Sequence, residues 1–370
     1  MNRGKKDGLL IAGGGLAGSL AAVAIARRRP ELPILLVEEA ERFGGADRLW
    51  CFFEDEVDEE GWQLIEPLVS RRWPGYYVSF PGQSRKLKAP MAAIRSGDID
   101  RFVREALRPD QYRLGTKAVA VRENELVLLG GEKIKADGAI DARGAANLSM
   151  LELGWRKSLA RDYLFAEPHQ VDRPVLVDAT VEQHDGYHFM MCIPYSERRM
   201  RIEDCYLSDS PDLNAAASDA RIGAYLTRRR WTPAETEGEE VLAMPIPLGG
   251  DFGSFWRVGG ARVAKIGMRG GFFHPATGSA FPDAVRTALT LSRQPQIEGA
   301  PLHDLFERDA VTSWRNRELY RNFNGSLFRG GPDRRKVHEE LYQLDPGVIA
   351  RFHSEQLGVL ERMRVGKIGR

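Results

Sequence analysis

The sequence predicts an α/β protein: a Rossmann-like domain opened by a βαβ unit, a second block built mainly of β-strands, and a helical C-terminal region. Three observations predict it. An apolar run, Leu9-Leu10-Ile11-Ala12, leads into Gly13-Gly14-Gly15-Leu16-Ala17-Gly18, an alanine-rich run from Ser19 to Ala26, and a second apolar run, Ile34-Leu35-Leu36-Val37, closed by Glu38. Short apolar runs separated by turns fill Pro174 to Pro247, and helical periodicity dominates from Leu302 onward.

In the opening unit each glycine has a physical task. Gly13 allows the tight turn, Gly15 lets backbone approach a pyrophosphate, and Gly18 lets the helix lie close on the strand. Gly14, Leu16 and Ala17 complete the loop and the first turn, whose free N–H groups and positive dipole end suit phosphate. Glu38, twenty residues after Gly18, is placed to accept hydrogen bonds from a ribose. The uncharged stretch from Gly8 to Ala26 is nearly long enough to cross a bilayer, but five of its residues are glycine and a strand pattern resumes at Ile34. Arg3, Lys5 and Lys6 lead into the nucleotide motif and not into a cleavage site, so a cytoplasmic protein without a signal peptide is expected.

A chain of 370 residues, 43% hydrophobic and 28% charged, can bury more than one core. A net charge of +1 gives no reason to expect nucleic acid as a partner. Cys51, Cys192 and Cys205 show no paired spacing and read as reduced thiols in strands. His184 and His188 lie four apart on a strand pattern, which separates them, so no metal site is expected.

Along the chain, an aromatic-rich stretch runs from Trp50 to Phe80, with Tyr76–Phe80 reading as a strand. Ser96 to Leu107 reads as a helix, Ala118–Val121 and Glu125–Leu129 as a hairpin, and Ala139–Gly144 as a short strand with its turn. Val175–Val181, His188–Ile193 and Arg199–Asp204 read as successive strands, Ala215–Arg230 as a helix, and Val258–Ile266 as an apolar return. The expected partition is a discontinuous nucleotide domain (7–50, 96–150, 256–300), a sheet domain (51–95, 151–255) and a helical region (301–370).

The turn His274-Pro275-x-Thr277-Gly278, after Gly267-Met268-Arg269 and before a helix from about Pro282, resembles the late turn of flavoproteins that begin with the same glycine motif. In those proteins the helix N-terminus points at the flavin edge that becomes negative on reduction. Redox members carry Gly-Asp where this chain has Gly267-Met268.

Taken together, Val177-Asp178-Ala179-Thr180-Val181, Gly186-Tyr187, Ile202-Glu203-Asp204, Met244-Pro245-Ile246, Phe273-His274-Pro275-x-Thr277-Gly278, Phe323-Asn324-x-x-Leu327-Phe328-x-x-Gly331-Pro332 and Ile349-Ala350-Arg351-Phe352 resemble the bacterial lycopene β-cyclase family over essentially the whole length. The resemblance implies an FAD-binding fold of the hydroxybenzoate-hydroxylase type. It also implies cyclisation of the ψ-ends of lycopene to β-ionone rings without net redox change, with FAD in its reduced form and NAD(P)H as reductant. It places Gly13, Gly14, Gly15, Leu16, Ala17, Gly18 and Glu38 on the adenosine diphosphate part, and Arg269, His274, Thr277 and Gly278 near the isoalloxazine.

The family's acid–base residue corresponds to Glu203. Protonating an alkene and later taking a proton from the ring requires a carboxyl kept neutral at the start, which a dry, apolar site provides. Strand alternation puts Arg201, Glu203 and Cys205 on one face and Asp204 on the other, with Asp204 expected as a hydrogen-bonding neighbour. Without the resemblance, the pair would read as solvated acids on an edge strand. The carbocation needs aromatic faces or a nearby anion; the aromatics from Trp50 to Phe80, with Tyr187 and Phe189, are candidates for the polyene tunnel.

Lycopene must be drawn from a bilayer, so a peripheral membrane protein is expected. The region from Trp314 has twelve Lys/Arg against seven Asp/Glu, and with Leu319, Tyr320, Phe323, Leu327 and Phe328 it could form the lipid-facing surface. The chain departs from the family at Ala46-Asp47-Arg48-Leu49-Trp50, at the charged Arg156-Lys157, and at Ser279. Two other readings stay open: a flavin monooxygenase or isoprenoid reductase of the same fold, and a non-catalytic carotenoid-binding flavoprotein.

Overall fold

The computed structural model describes residues 8–45, 48–329 and 334–369. Arg3, Lys5 and Lys6, the Ala46-Asp47 departure and the Gly330-Gly331-Pro332 break therefore lie outside the described residues.

A five-stranded sheet is assembled from separated pieces of chain, in the order Ala264–Lys265, Gly138–Asp141, Leu9–Ala12, Ile34–Val37, Tyr112–Arg113. Every pairing in it is parallel, and Ile11 lies between Leu36 and Ile140. All four residues of Leu9–Ala12 are buried, as expected of a strand covered on both faces. The crossover helix Leu16–Arg28 buries Gly18 to Ile25 and packs on the helices Ser96–Ala106 and Phe281–Ser292. Its small side chains permit that close approach, and a Cβ on Gly18 would meet the Gly13 carbonyl oxygen at 1.9 Å. The expected hairpin gains a third strand, Lys133–Lys135, beside Glu125–Leu128.

The second sheet has seven strands, in the order Pro233–Gly250, Leu151–Phe165, Arg199–Ser208, Tyr187–Pro194, Val175–Asp178, Tyr76–Phe80, Gln83–Leu87. Its pairings are antiparallel except that of Tyr76–Phe80 with Val175–Asp178. The strand expected over Val175–Val181 stops at Asp178, whose carboxylate turns back to accept from Thr180 N–H (3.2 Å) and Oγ1 (2.5 Å). The Val258–Ile266 return is strand only at Ala264–Lys265, because Gly259 and Gly260 (φ +80° and +130°) form a turn. A separate antiparallel sheet joins Leu49–Phe53, Met91–Arg95 and Val69–Trp73.

Five helices, from Gly299–Asn316 to Val359–Val365, close the described chain. Tyr320, Phe323, Leu327 and Phe328 are all buried, so they are core and not a lipid-facing surface. Their helix turns its apolar side toward the seven-stranded sheet. The three cysteines are free; Cys192 and Cys205 are buried and Cys51 half-buried. Among the described residues no helix is long and apolar enough to cross a membrane.

Candidate active site

A cavity of about 540 Å³ opens beyond the C-terminal ends of Leu9–Ala12 and Ile34–Val37, where parallel sheets bind ligands. Gly13, Gly15, Leu16, Ala17, Glu38 and Arg269 line it. Gly13 has φ +104°, and a Cβ there would strike the Ala142 carbonyl at 2.6 Å. Gly15 is different: its φ of −70° suits any residue, and a Cβ would meet nothing within 4 Å. The chain's own packing does not require glycine there, and the Cβ direction opens into the cavity. The helix that starts after Gly15 has no side-chain cap, which leaves its N–H groups free.

Gly14 and Gly18 sit behind this wall. The Gly14 N–H donates to Glu38 Oε2 at 2.5 Å, and the Ala40 N–H donates to Oε1 at 2.9 Å, which fixes the carboxylate at the rim. Arg269 donates from Nε to Asp141 Oδ2 at 2.8 Å, beside Arg143, which holds both oxygens of the same carboxylate. Burial pushes Asp141 up, but the Arg143 hydrogen bonds and the Arg269 charge outweigh it and hold the carboxyl below the usual range. Lys117 and Arg143 are further cations on this wall that the motif did not single out.

A second cavity, of about 260 Å³, adjoins the first; Arg48, Trp50, Met268 and Ala280 belong to both walls. Most of its lining is apolar, including Phe53, Leu176, Phe189, Met191, Met244 and Tyr342. Thr277 and Gly278 form part of the wall near the junction. Of the expected tunnel aromatics, Trp50, Phe52, Phe53 and Phe189 line the cavity. Trp73, Tyr76, Phe80 and Tyr187 are packed in the core instead.

His274 lines neither large cavity, contrary to expectation. It is buried beneath the turn, where Nδ1 accepts from Ala276 N–H (3.1 Å) and Thr277 N–H (3.3 Å). Burial, helped by the Arg317 charge, lowers its pKa to about 3, so it is a neutral acceptor that shapes the loop. The Asn324 amide donates to the Pro275 carbonyl at 2.8 Å and Arg317 donates to the Phe273 carbonyl at 3.2 Å. Distant helices thus hold this turn, which accounts for the Phe323-Asn324 motif.

The acid pair separates as strand alternation requires. Glu203 lies in the middle of the sheet, between Ala160 and Met191, and faces the second cavity. Its surroundings are not the dry apolar site expected: Arg156 lies 3.7 Å from Oε2, and the Cys205 thiol donates to it at 3.6 Å. Glu240, bound to Arg201 at 2.7 Å, lines the same wall. Sequence reasoning noted Arg156 only as a departure, because its partner is 47 residues away and meets it across neighbouring strands.

Asp204 faces the opposite side of the sheet, fully buried, so it is not a hydrogen-bonding neighbour of Glu203. His188 Nε2 lies 2.5 Å from Oδ1, and the Tyr206 hydroxyl donates to Oδ2. His188 stacks on Tyr206, with centroids 4.6 Å apart. This network ties the sheet to the helix Ala215–Arg229 through Arg221, which donates to the Tyr206 hydroxyl. Asp204→Ala would strand two buried polar partners and is expected to cost about 3 kcal/mol. Urea unfolding checks this, with activity per folded molecule retained.

The lycopene cyclase protein family model matches residues 8–368. The chain belongs to the lycopene cyclase family. Lycopene beta-cyclase of Pseudescherichia vulneris is 32% identical to it over 96% of this chain and 92% of that protein. That of Pantoea ananas is 32% identical over 96% and 93%. Solved structures share the fold of this cyclase-family chain at low identity. A p-nitrophenol 4-monooxygenase from Pseudomonas putida is 12% identical with a TM-score of 0.63, covering 98% of this chain and 97% of that one. A geranylgeranyl bacteriochlorophyll reductase-like protein from Thermoplasma acidophilum is 13% identical with a TM-score of 0.59, covering 97% and 95%.

Proposed function

We propose that this protein is a lycopene β-cyclase that uses bound FAD in its reduced form, with NAD(P)H as reductant. The observation that carries the reading is a carboxyl, Glu203, on the wall of a mostly apolar cavity that adjoins the cleft lined by the glycine motif. The cleft fits FAD. Space is left at Gly15 where a Cβ would intrude, the adjacent helix N-terminus is uncapped, and Glu38 is fixed at the rim for a ribose. Gly13 to Gly18 would hold the pyrophosphate, and Met268, Thr277 and Gly278 would lie against the ring system where the two cavities meet. Reduced flavin supplies negative charge beside a developing carbocation.

The chain supplies the rest. Apolar walls exclude water that would trap the cation, and Trp50, Phe53 and Phe189 present aromatic surfaces to it. Glu203 takes part in moving the proton, held in place by Arg156 and Cys205. Anaerobic incubation of lycopene with the chemically reduced protein tests the reading. Ring formation without consumption of reductant supports it, and a hydroxylated or hydrogenated product supports the redox alternatives.

The substrate lives in bilayers, so docking to anionic lipid belongs to this proposal. The helix Val359–Val365 exposes Val359 (77%), Leu360 (80%) and Met363 (59%) on one side, with Arg362 and Arg364 beside them. Apolar insertion flanked by cations is the chemistry of an interfacial helix. Leu360→Asp is expected to reduce co-sedimentation with phosphatidylserine-containing vesicles several-fold. It should leave flavin binding unchanged.

A further inference from the structure

Cyclisation adds one proton to a terminal alkene and removes another from a different ring carbon. Besides Glu203 and Glu240, which is bound to Arg201, a third carboxyl lines the second cavity. Glu56 ends the short turn Glu54–Glu56 after the strand Leu49–Phe53, and its Oε2 accepts the Phe53 N–H at 2.7 Å. Asp55, Arg286, Glu355 and His353, with His274, Asp283 and Arg317 across the adjoining void, are the charged and titratable groups around it.

Behind Glu56 lies a small void of about 10 Å³, the size of one water molecule, lined by Glu56, His274, Asp283, Arg317, His353 and Glu355. Its walls carry polar atoms with no partner: His274 Nε2 and His353 Nδ1 are buried and make no hydrogen bond. His274 Nε2 is 3.8 Å from Glu355 Oε1, too far for direct bonding and suited to a bridging water. His353 and Glu56 line both this void and the substrate cavity. On the far side, Glu355, Arg286 and Asp283 line a groove of about 440 Å³ that includes the exposed Thr312 and Asn316. The cavity, the void and the groove therefore form a chain of polar groups from the substrate site to the surface.

We propose that Glu56 is a second proton-transfer residue of this cavity, donating to the substrate and recharged from solvent through the void beside His353 and Glu355. The proposal rests on the cyclase reading above. Burial pushes the Glu56 carboxyl up to about 8, against the pull of the Phe53 N–H, so it holds its proton at neutral pH. Burial also keeps His353 neutral, at about 3, with one ring nitrogen free to accept and the other to donate, while Arg317 lies 2.8 Å from Glu355 Oε1 at the far end of the void.

The step balances. The Glu56 O–H bond breaks as the alkene electron pair forms a new C–H bond, leaving a tertiary cation. Electrons of the next double bond close the ring. A ring C–H bond then breaks to form the ring double bond, and its proton passes to the Glu203 carboxylate beside Arg156. One proton enters and one leaves, and nothing is oxidised.

Cyclisation in D2O, read by mass spectrometry, tests the assignment. Wild type is expected to place one deuterium in each ring, because donor and acceptor differ. Glu56→Gln, loaded with flavin, is expected to be at least ~10²-fold slower. Its residual product should carry fewer than one deuterium per ring, because Glu203 must then return the substrate's own proton. Glu56→Asp should restore part of the rate. Glu355→Gln, which leaves the cavity wall intact, should also lower deuterium content by cutting the path to solvent. Wild-type rate and deuterium content in both Glu56→Gln and Glu355→Gln would overturn the proposal. No ring formation by wild type would instead sink the cyclase reading itself.

Discussion

Replacing Glu203 with glutamine is expected to leave a folded, flavin-binding protein whose cyclisation rate falls by ~10²–10⁴-fold, the usual contribution of a positioned acid–base group. The substitution keeps the shape of the side chain and removes its capacity to take or give a proton. Fold damage should be small, because Glu203 makes one long contact to Arg156 and a weak one to the Cys205 thiol. Pigment extracted from lycopene-accumulating cells gives the readout: lycopene should persist in cells expressing the variant and disappear with wild type. Equal ring formation by both would remove Glu203 from the mechanism. Glu203→Asp withdraws the carboxyl by one methylene and should recover part of the rate. A purely packing role for the side chain would not give that pattern.

The second large effect concerns Gly15. Gly15→Val is expected to weaken flavin binding by at least ~10²-fold, which corresponds to about 2.8 kcal/mol, while unfolding in urea stays close to wild type. The reason is local. The residue has φ −70°, within reach of valine, and its Cβ direction points into open cavity. Gly13→Val and Gly18→Val differ in kind. There a Cβ meets backbone at 2.6 Å and 1.9 Å, so these variants should lose stability along with cofactor. Titration with FAD followed by fluorescence, alongside urea curves for the three variants, separates the ligand-facing glycine from the two that the fold itself requires.

The parts of the molecule legible in sequence are those governed by local rules. The βαβ unit shows because strand, glycine turn, helix and acid follow one another within thirty residues. The opposite placement of Glu203 and Asp204 follows from the two-residue period of a strand, and the structure puts them on opposite faces of the sheet. What stayed hidden depends on pairings between distant segments. Arg156 reaches Glu203 through the register of two strands, and Glu56 reaches the cavity from a turn that carries no motif.

Three expectations failed for a physical reason. An apolar stripe on a helix shows that something covers it, but not what. Tyr320, Phe323, Leu327 and Phe328 are covered by protein, whereas Val359, Leu360 and Met363 are not. The resemblance placed the histidine of the late turn near the cofactor, yet His274 spends its ring nitrogen on the turn's own N–H groups. Asp204, adjacent to Glu203 in sequence and expected beside it, belongs to a buried network under the helix Ala215–Arg229.

The most direct test supplies lycopene, without oxygen, to the purified protein carrying FAD reduced by dithionite. β-Ionone ends should accumulate over many turnovers while the flavin stays reduced and no further reductant is used. Unchanged lycopene, or one equivalent of flavin oxidised for each molecule of product, would contradict the account.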